Sequence, residues 1–192
     1  MPVEEARSEE TPYGRYITSD GWFTLNLGDA LAVRNEEKGG VTYPIEARVS
    51  PFRDFGVNVR VLQPGQPNCL YHSEGAQEGF LVLSGECTLI VEEEERTLRQ
   101  WDYFHCPAGT RHVFVGGDGP CAVLMIGARP EREELLYPVS ELAARHGASV
   151  TTETSSGDEA YADWPGEYEP TRLPWPVDGD AGKASPAPAV PA

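Results

Sequence analysis

The chain has no apolar run approaching the roughly 18 residues that a membrane-spanning helix needs. Its N-terminus, "MPVEEARSEETPYGRY", offers neither a basic n-region nor an apolar h-region, so the expectation is a cytoplasmic protein that works away from membranes. Basic residues are scarce: 15 Lys and Arg stand against 31 Asp and Glu, a formal net charge of −16. That charge repels nucleic acid and anionic lipid alike, which excludes both as main partners. Cysteine is sparse too. Cys69, Cys87, Cys106 and Cys121 are spread singly, with no CxxC pair, which excludes a zinc knuckle or dithiol redox motif and predicts buried free thiols. There is no internal repeat.

What is present is a chain of 192 residues, enough for one domain with a sizeable core and for polar extensions. Residues 1–20 read as a flexible acidic segment. From 21 to 130, short strand-like runs are punctuated by Gly and Pro. "GVNVRVL" alternates Val57, Val59 and Val61 against Asn58 and Arg60, and "FLVLSGECTLIV" carries apolar residues on both parities, as strands buried on both faces do. The pattern predicts an all-β fold, an antiparallel barrel or sandwich. Glu92–Glu95 between two such runs predicts a solvated hairpin turn. Over 131–150, "EREELL" and "SELAARHGA" predict short helices, the second capped by Ser140 and ended by Gly147. Residues 151–192 form an acidic, Pro-rich arm with a disordered end. Its Tyr161, Trp164, Tyr168, Leu173 and Trp175 are too apolar for a plain linker and predict an arm laid across another surface, that of a sister subunit in a homodimer being one option.

Chemistry concentrates in "YHSEGAQEGF" and "WDYFHCPAGTRH". On a strand, residues two apart share a face, so His72 and Glu74 project together. Glu78 opens the next strand after a short turn, and the turn through Pro107 and Gly109 delivers His112 onto another. A lone histidine is more often a satisfied core residue than a ligand. Two imidazoles and two carboxylates converging inside a barrel are instead a divalent-metal site, suited to Fe(II), with Mn, Ni or Zn as alternatives. Glu74 is either a ligand or a catalytic general base beside the open positions. Phe80, Val82 and Phe114 share parity with Glu78 or His112 and are expected to wall the pocket. Arg60 reads as part of a solvated strand face, His105 as structural or exposed, and Cys69 and Tyr71 as core residues facing away from His72.

These residues resemble the two motifs of the cupin superfamily. Gly65, His72, Glu74, Glu78 and Gly85 follow the first, with Glu74 where the family has a second histidine. Trp101, Pro107, Gly109 and His112 follow the second, with Trp101 in place of its opening glycine and Gly116 in place of its closing asparagine. The resemblance implies a cupin-type jelly-roll barrel. Within the superfamily the spacing is similar to the iron site of 3-hydroxyanthranilate dioxygenases, which implies His72, Glu78 and His112 as ligands. The expectation is thus a small-molecule metalloenzyme of the Fe(II)-dependent dioxygenase type. The alternatives are a metal-dependent isomerase, lyase or decarboxylase, and a non-catalytic small-ligand-binding cupin.

Overall fold

The computed structural model describes residues 2–35, 38–47, 50–131, 134–164 and 166–173. The chain opens with a hairpin of β1 (Ser8–Thr11) and β2 (Gly14–Ile17), so the expectation of a flexible first segment is corrected: Ser8 to Thr11 pair in register with Ile17 to Gly14. β3 (Ala32–Arg34), β4 (Val41–Pro44) and β5 (Phe55–Leu62) follow, then the two-residue β6 (Ser73–Glu74). The motif-bearing half continues through β7 (Glu78–Ser84), β8 (Glu86–Val91), β9 (Glu94–Arg99), β10 (Tyr103–Cys106), β11 (His112–Gly116) and β12 (Cys121–Ala128). Leu135–Leu136 forms β13, and Glu169–Thr171 forms β14.

Two antiparallel sheets face each other. The larger runs β10-β7-β12-β5-β4-β3-β14, and the smaller β11-β8-β9. Between them Leu62, Phe80, Val82, Leu89, Phe114 and Val123 pack into one cluster, the interior of a jelly roll. The outer faces are covered as well. Val59 and Val61 pack with Ala32, Val41 and Tyr43 on the far side of the large sheet, while Ile90, Val113 and Val115 pack with Tyr71 and Ala143 beyond the small one. This double burial is why the stretch from Phe80 to Val91 is apolar on both parities.

The turns obey local chemistry. Glu92 and Glu93 close the β8–β9 hairpin with positive φ, +47° and +64°, the left-handed pair that a tight two-residue turn demands. Gly85 sits at φ +74°, and a Cβ there would lie 2.3 Å from the carbonyl oxygen of Pro120, so only glycine lets β7 and β12 approach.

Beyond the barrel, the expected pair of helices is corrected in part. Ser140 caps α1 (Glu141–Ala144) by accepting from the amide of Ala143, and Gly147 ends the turn at φ +66°. "EREELL", by contrast, yields β13: Leu135 and Leu136 pair with Glu74 and Ser73, a tertiary contact that overrides local helix propensity. A second short helix, α2 (Gly157–Ala160), lies further along. As far as Leu173, the aromatic arm packs onto its own domain. The Tyr161 hydroxyl accepts from the amide of Leu70, Trp164 packs on Tyr161 and Lys38, β14 extends the large sheet beside β3, and Leu173 joins the outer core. Trp175 and the expected disordered end lie outside the described residues. No helix of the described residues is long and apolar enough to cross a membrane.

A clamp at the barrel rim carries a measurable share of stability. The Glu46 carboxylate accepts from the amides of Phe52 (2.7 Å) and Val57 (2.9 Å) and from both terminal nitrogens of Arg129. Burial alone would raise its pKa, but Arg129 and the two amides hold it below the ordinary carboxylate value. A depressed folded pKa means the stabilisation is present above the unfolded pKa and lost as pH falls through the folded one. Glu46→Gln should therefore cost about 2 kcal/mol near neutrality. Urea unfolding at neutral and strongly acidic pH checks this: the difference from wild type should shrink in acid.

Candidate metal centre

Only four histidines exist in the chain, and the fold brings two of them face to face. His72 and His112 are direct partners across an antiparallel bridge, exchanging both backbone hydrogen bonds (3.2 and 2.8 Å). Paired residues in such a bridge present their side chains on one face. The rings accordingly lie 5.0 Å apart, at the mouth of the barrel. The amide of Gly109 donates to the carbonyl of Glu74 (2.7 Å), which ties the turn before β11 to β6 and fixes how deep His112 sits.

Both imidazoles are oriented by backbone carbonyls. His72 Nδ1 lies 2.7 Å from the oxygen of Leu70, and His112 Nδ1 lies 3.2 Å from that of Thr110. A carbonyl only accepts, so each Nδ1 carries the proton and each Nε2 is turned toward the acids. Nε2 of His72 faces Glu74 Oε1 at 3.3 Å, and Nε2 of His112 faces Glu78 Oε2 at 3.5 Å. His105, in contrast, is exposed on β10 and takes no part.

Around His112 and Glu78 the electrostatics are those of two acceptors in need of a cation, while His72 and Glu74 form a donor–acceptor pair. Burial, and then the neighbouring His72, push His112 down to about 4, so its ring is neutral. Burial and the charge of Glu74 push the Glu78 carboxyl up to about 7. Glu78 Oε2 is buried without a hydrogen-bond partner and faces the lone pair of His112 across 3.5 Å. Two acceptors so placed repel until a proton or a metal ion comes between them. Glu74, hydrogen-bonded by His72, is held below the ordinary carboxylate range. Burial disfavours the His72 cation, but Cys69, Glu74 and the Leu70 carbonyl outweigh it and set its pKa well above the usual value. Two neutral imidazoles and two carboxylates would hold a divalent ion with no net charge left over.

Cys106 joins this cluster, a placement no spacing in the sequence signals. Ligand atoms of Glu78, Cys106 and His112 all lie within 4.8 Å of one another, a possible metal-binding triad. The thiol, however, sits 3.5 Å from His112 Nδ1, on the side of the ring that faces Thr110, whereas Glu78 faces Nε2. Burial and the charge of Glu78 push the thiol pKa up to about 12, which keeps it protonated. It packs behind His112, on the Nδ1 side of the ring. Cys69 is likewise corrected: it does not face away but reaches 3.7 Å from His72 Nδ1, because residues 68–71 bend and do not run as a strand.

Above the cluster opens a cavity of about 350 Å³. Of the three expected wall residues only Phe80 reaches it, with Met125 beside it. Val82 and Phe114 lie deeper, where the narrowing barrel is filled by side chains, and they support the floor. The Phe114 ring meets His112 edge-on at 6.2 Å. The other walls are polar: Asn58, Arg60 and Asn68 line the cavity, and Tyr137 and Tyr161 close one side. Tyr137 stacks on His72 at 5.7 Å and meets Tyr161 edge-on. Arg60 thus faces inward and not onto a solvated strand face.

Comparison with known proteins gives the fold a context. A family model for the cupin domain matches residues 58–127, which contain all four candidate ligands. No curated protein matches the chain in sequence. A sugar phosphate isomerase of the cupin superfamily from Silicibacter pomeroyi is 27% identical over 53% of this chain and 66% of its own, with a TM-score of 0.48. A protein assigned as a sugar phosphate isomerase from Acidithiobacillus ferrooxidans is 26% identical over 43% of this chain and 55% of its own, with a TM-score of 0.41. The chain thus spans less than two thirds of either one. The polyketide cyclase RemF from Streptomyces resistomycificus shares the fold at 16% identity, covering 58% of this chain and 83% of its own with a TM-score of 0.50.

Proposed function

We propose, from the match of residues 58–127 to the cupin-domain model, that the chain is a small-molecule metalloenzyme of the Fe(II)-dependent dioxygenase type. One observation carries the reading: two buried histidines, each locked by a backbone carbonyl at Nδ1, turn Nε2 toward two carboxylates at the floor of a cavity. His72, Glu78 and His112 would hold the ion as two histidines and one carboxylate, a set that leaves adjacent positions open and suits Fe(II), with Mn, Ni or Zn as alternatives. The metal would supply Lewis acidity and, as iron, oxygen chemistry. The chain's own share is to orient and to exclude water. Phe80 and Met125 wall the site with apolar surface, Tyr137 braces His72, and Tyr161 covers the cavity from the side.

A second reading, a redox-neutral isomerase, lyase or decarboxylase, is favoured by Glu74. Its carboxylate is half-buried, sits against His72 and stays ionised, as a general base beside the metal must. Nitric oxide tests the first. Iron-loaded protein treated with it in the absence of air should give the electron-paramagnetic signal of a high-spin ferrous nitrosyl. Absence of that signal in protein shown to hold iron means no position is open to a diatomic ligand, and the dioxygenase reading fails. Metal-dependent turnover that persists without air favours the second.

A further inference from the structure

The polar wall of the cavity holds a cation that nothing in the metal cluster uses. β5 carries Asn58 and Arg60 on its inward face, since Val57, Val59 and Val61 take the other parity. Arg60 is half-buried, and no carboxylate pairs with it among the described residues. Its Nη1 donates to the carbonyls of Gly39 (3.1 Å) and Asn68 (2.6 Å). Its Nε is buried with no hydrogen-bond partner, and Nη2 makes no hydrogen bond among the described residues. Anchoring Nη1 in this way fixes the guanidinium plane and leaves its Nε–Nη2 edge unused. That edge presents two parallel N–H groups at the spacing of two carboxylate oxygens. An uncompensated, partly desolvated cation is costly to keep, and a ligand anion removes the cost. Two residues earlier, Asn58 lines the same cavity with a buried Oδ1 that also lacks a partner, so it awaits a donor.

Building on the metalloenzyme reading above, we infer that the substrate is a small carboxylate bearing a hydroxyl or amino group, with its carboxylate on Nε and Nη2 of Arg60 and its donor on Asn58. A cavity of about 350 Å³ is near the lower end for ligand sites, roughly 300–1,000 Å³, which restricts the ligand to a small one. His72, Glu74, Glu78 and His112 line the same cavity, so a carboxylate held by Arg60 keeps the rest of the molecule beside the metal position. Arg60 is a specificity-determining residue here, reading charge, while Asn58 reads the donor.

Lactate and lactamide provide a matched test, being alike in size and hydroxyl and different in charge. Calorimetric titration of the full chain, both metal-loaded and metal-free, should show lactate binding at least about tenfold more tightly than lactamide. Arg60→Gln should abolish that preference and Arg60→Lys should keep part of it, because a point charge replaces a fork. Asn58→Asp sets a carboxylate against the guanidinium without touching the Nη1 anchors. It should lose the preference as well, which keeps the test decisive if Arg60→Gln does not fold. Equal binding of the two probes, or binding of neither, overturns the inference. If metal is bound while the preference is absent, the anion subsite falls and the metalloenzyme reading stands. If the preference appears in protein that holds no metal under any loading, the subsite stands and that reading falls.

Discussion

Glu78→Gln is expected to cost the protein its metal while making the metal-free chain more stable. The first effect follows from the removal of a ligand charge at a site where His112 and Glu78 face each other across 3.5 Å. Even loss of a group that merely supports a ligand weakens metal sites by roughly 10–100-fold, so loss of the ligand itself should exceed about 100-fold. The second effect follows from burial. Glu78 has an unpartnered buried oxygen, and burial with the adjacent Glu74 charge pushes its carboxyl up to about 7. A folded pKa above the unfolded one means the folded chain holds the extra proton. The stability this contributes is complete below the unfolded carboxylate pKa and lost as pH rises to about 7. Metal-free wild type should therefore weaken by about 2–3 kcal/mol across that window, and the glutamine variant should not. Thermal melts with and without chelator at mildly alkaline pH check both signs. A variant less stable than wild type in its metal-free form contradicts the electrostatic account.

The second large effect concerns the floor beneath the site. Phe114 is fully buried, with its ring 4.8 Å from Phe80 and edge-on to His112. Phe114→Ala should cost about 3–5 kcal/mol through lost burial and the cavity left behind. For a chain of this size that corresponds to a fall in Tm on the order of 10 °C. His112 also loses the surface that holds its ring upright, so metal affinity should fall with stability. Differential scanning calorimetry on metal-free protein reads the first, and metal titration the second. A loss below about 1 kcal/mol would mean that the core closes over the gap.

The convergence of His72, Glu74, Glu78 and His112 was legible because its signals are local. Alternation on a strand places His72 beside Glu74, and glycine-centred turns locate Glu78 and His112. The double-sided apolar pattern from Phe80 to Val91 likewise announced strands covered on both faces. Arg60 was not legible, for the same reason. β5 alternates cleanly, and a clean alternation ordinarily means valine inward and arginine outward. Here the valines meet a second core under β3 and β4, and the polar parity faces the barrel. No parity rule tells which of two covered faces contains the cavity. Val82 and Phe114 mark a related limit, since parity gives the side of the sheet and not the depth along the barrel. Leu135 and Leu136 were misread as helical because their partners, Ser73 and Glu74, are distant in sequence. Cys106 was invisible as a neighbour of the site because its contact with His112 depends on the turn from Pro107 to Arg111, not on any spacing rule.

Elemental analysis of untagged protein, wild type beside His112→Ala, tests the central claim most directly. The account predicts about one divalent metal ion per wild-type chain and its loss in the variant, since the substitution removes one of the two imidazole ligands. A wild-type protein that holds no metal even after reconstitution, or a variant that keeps its full complement, would contradict it.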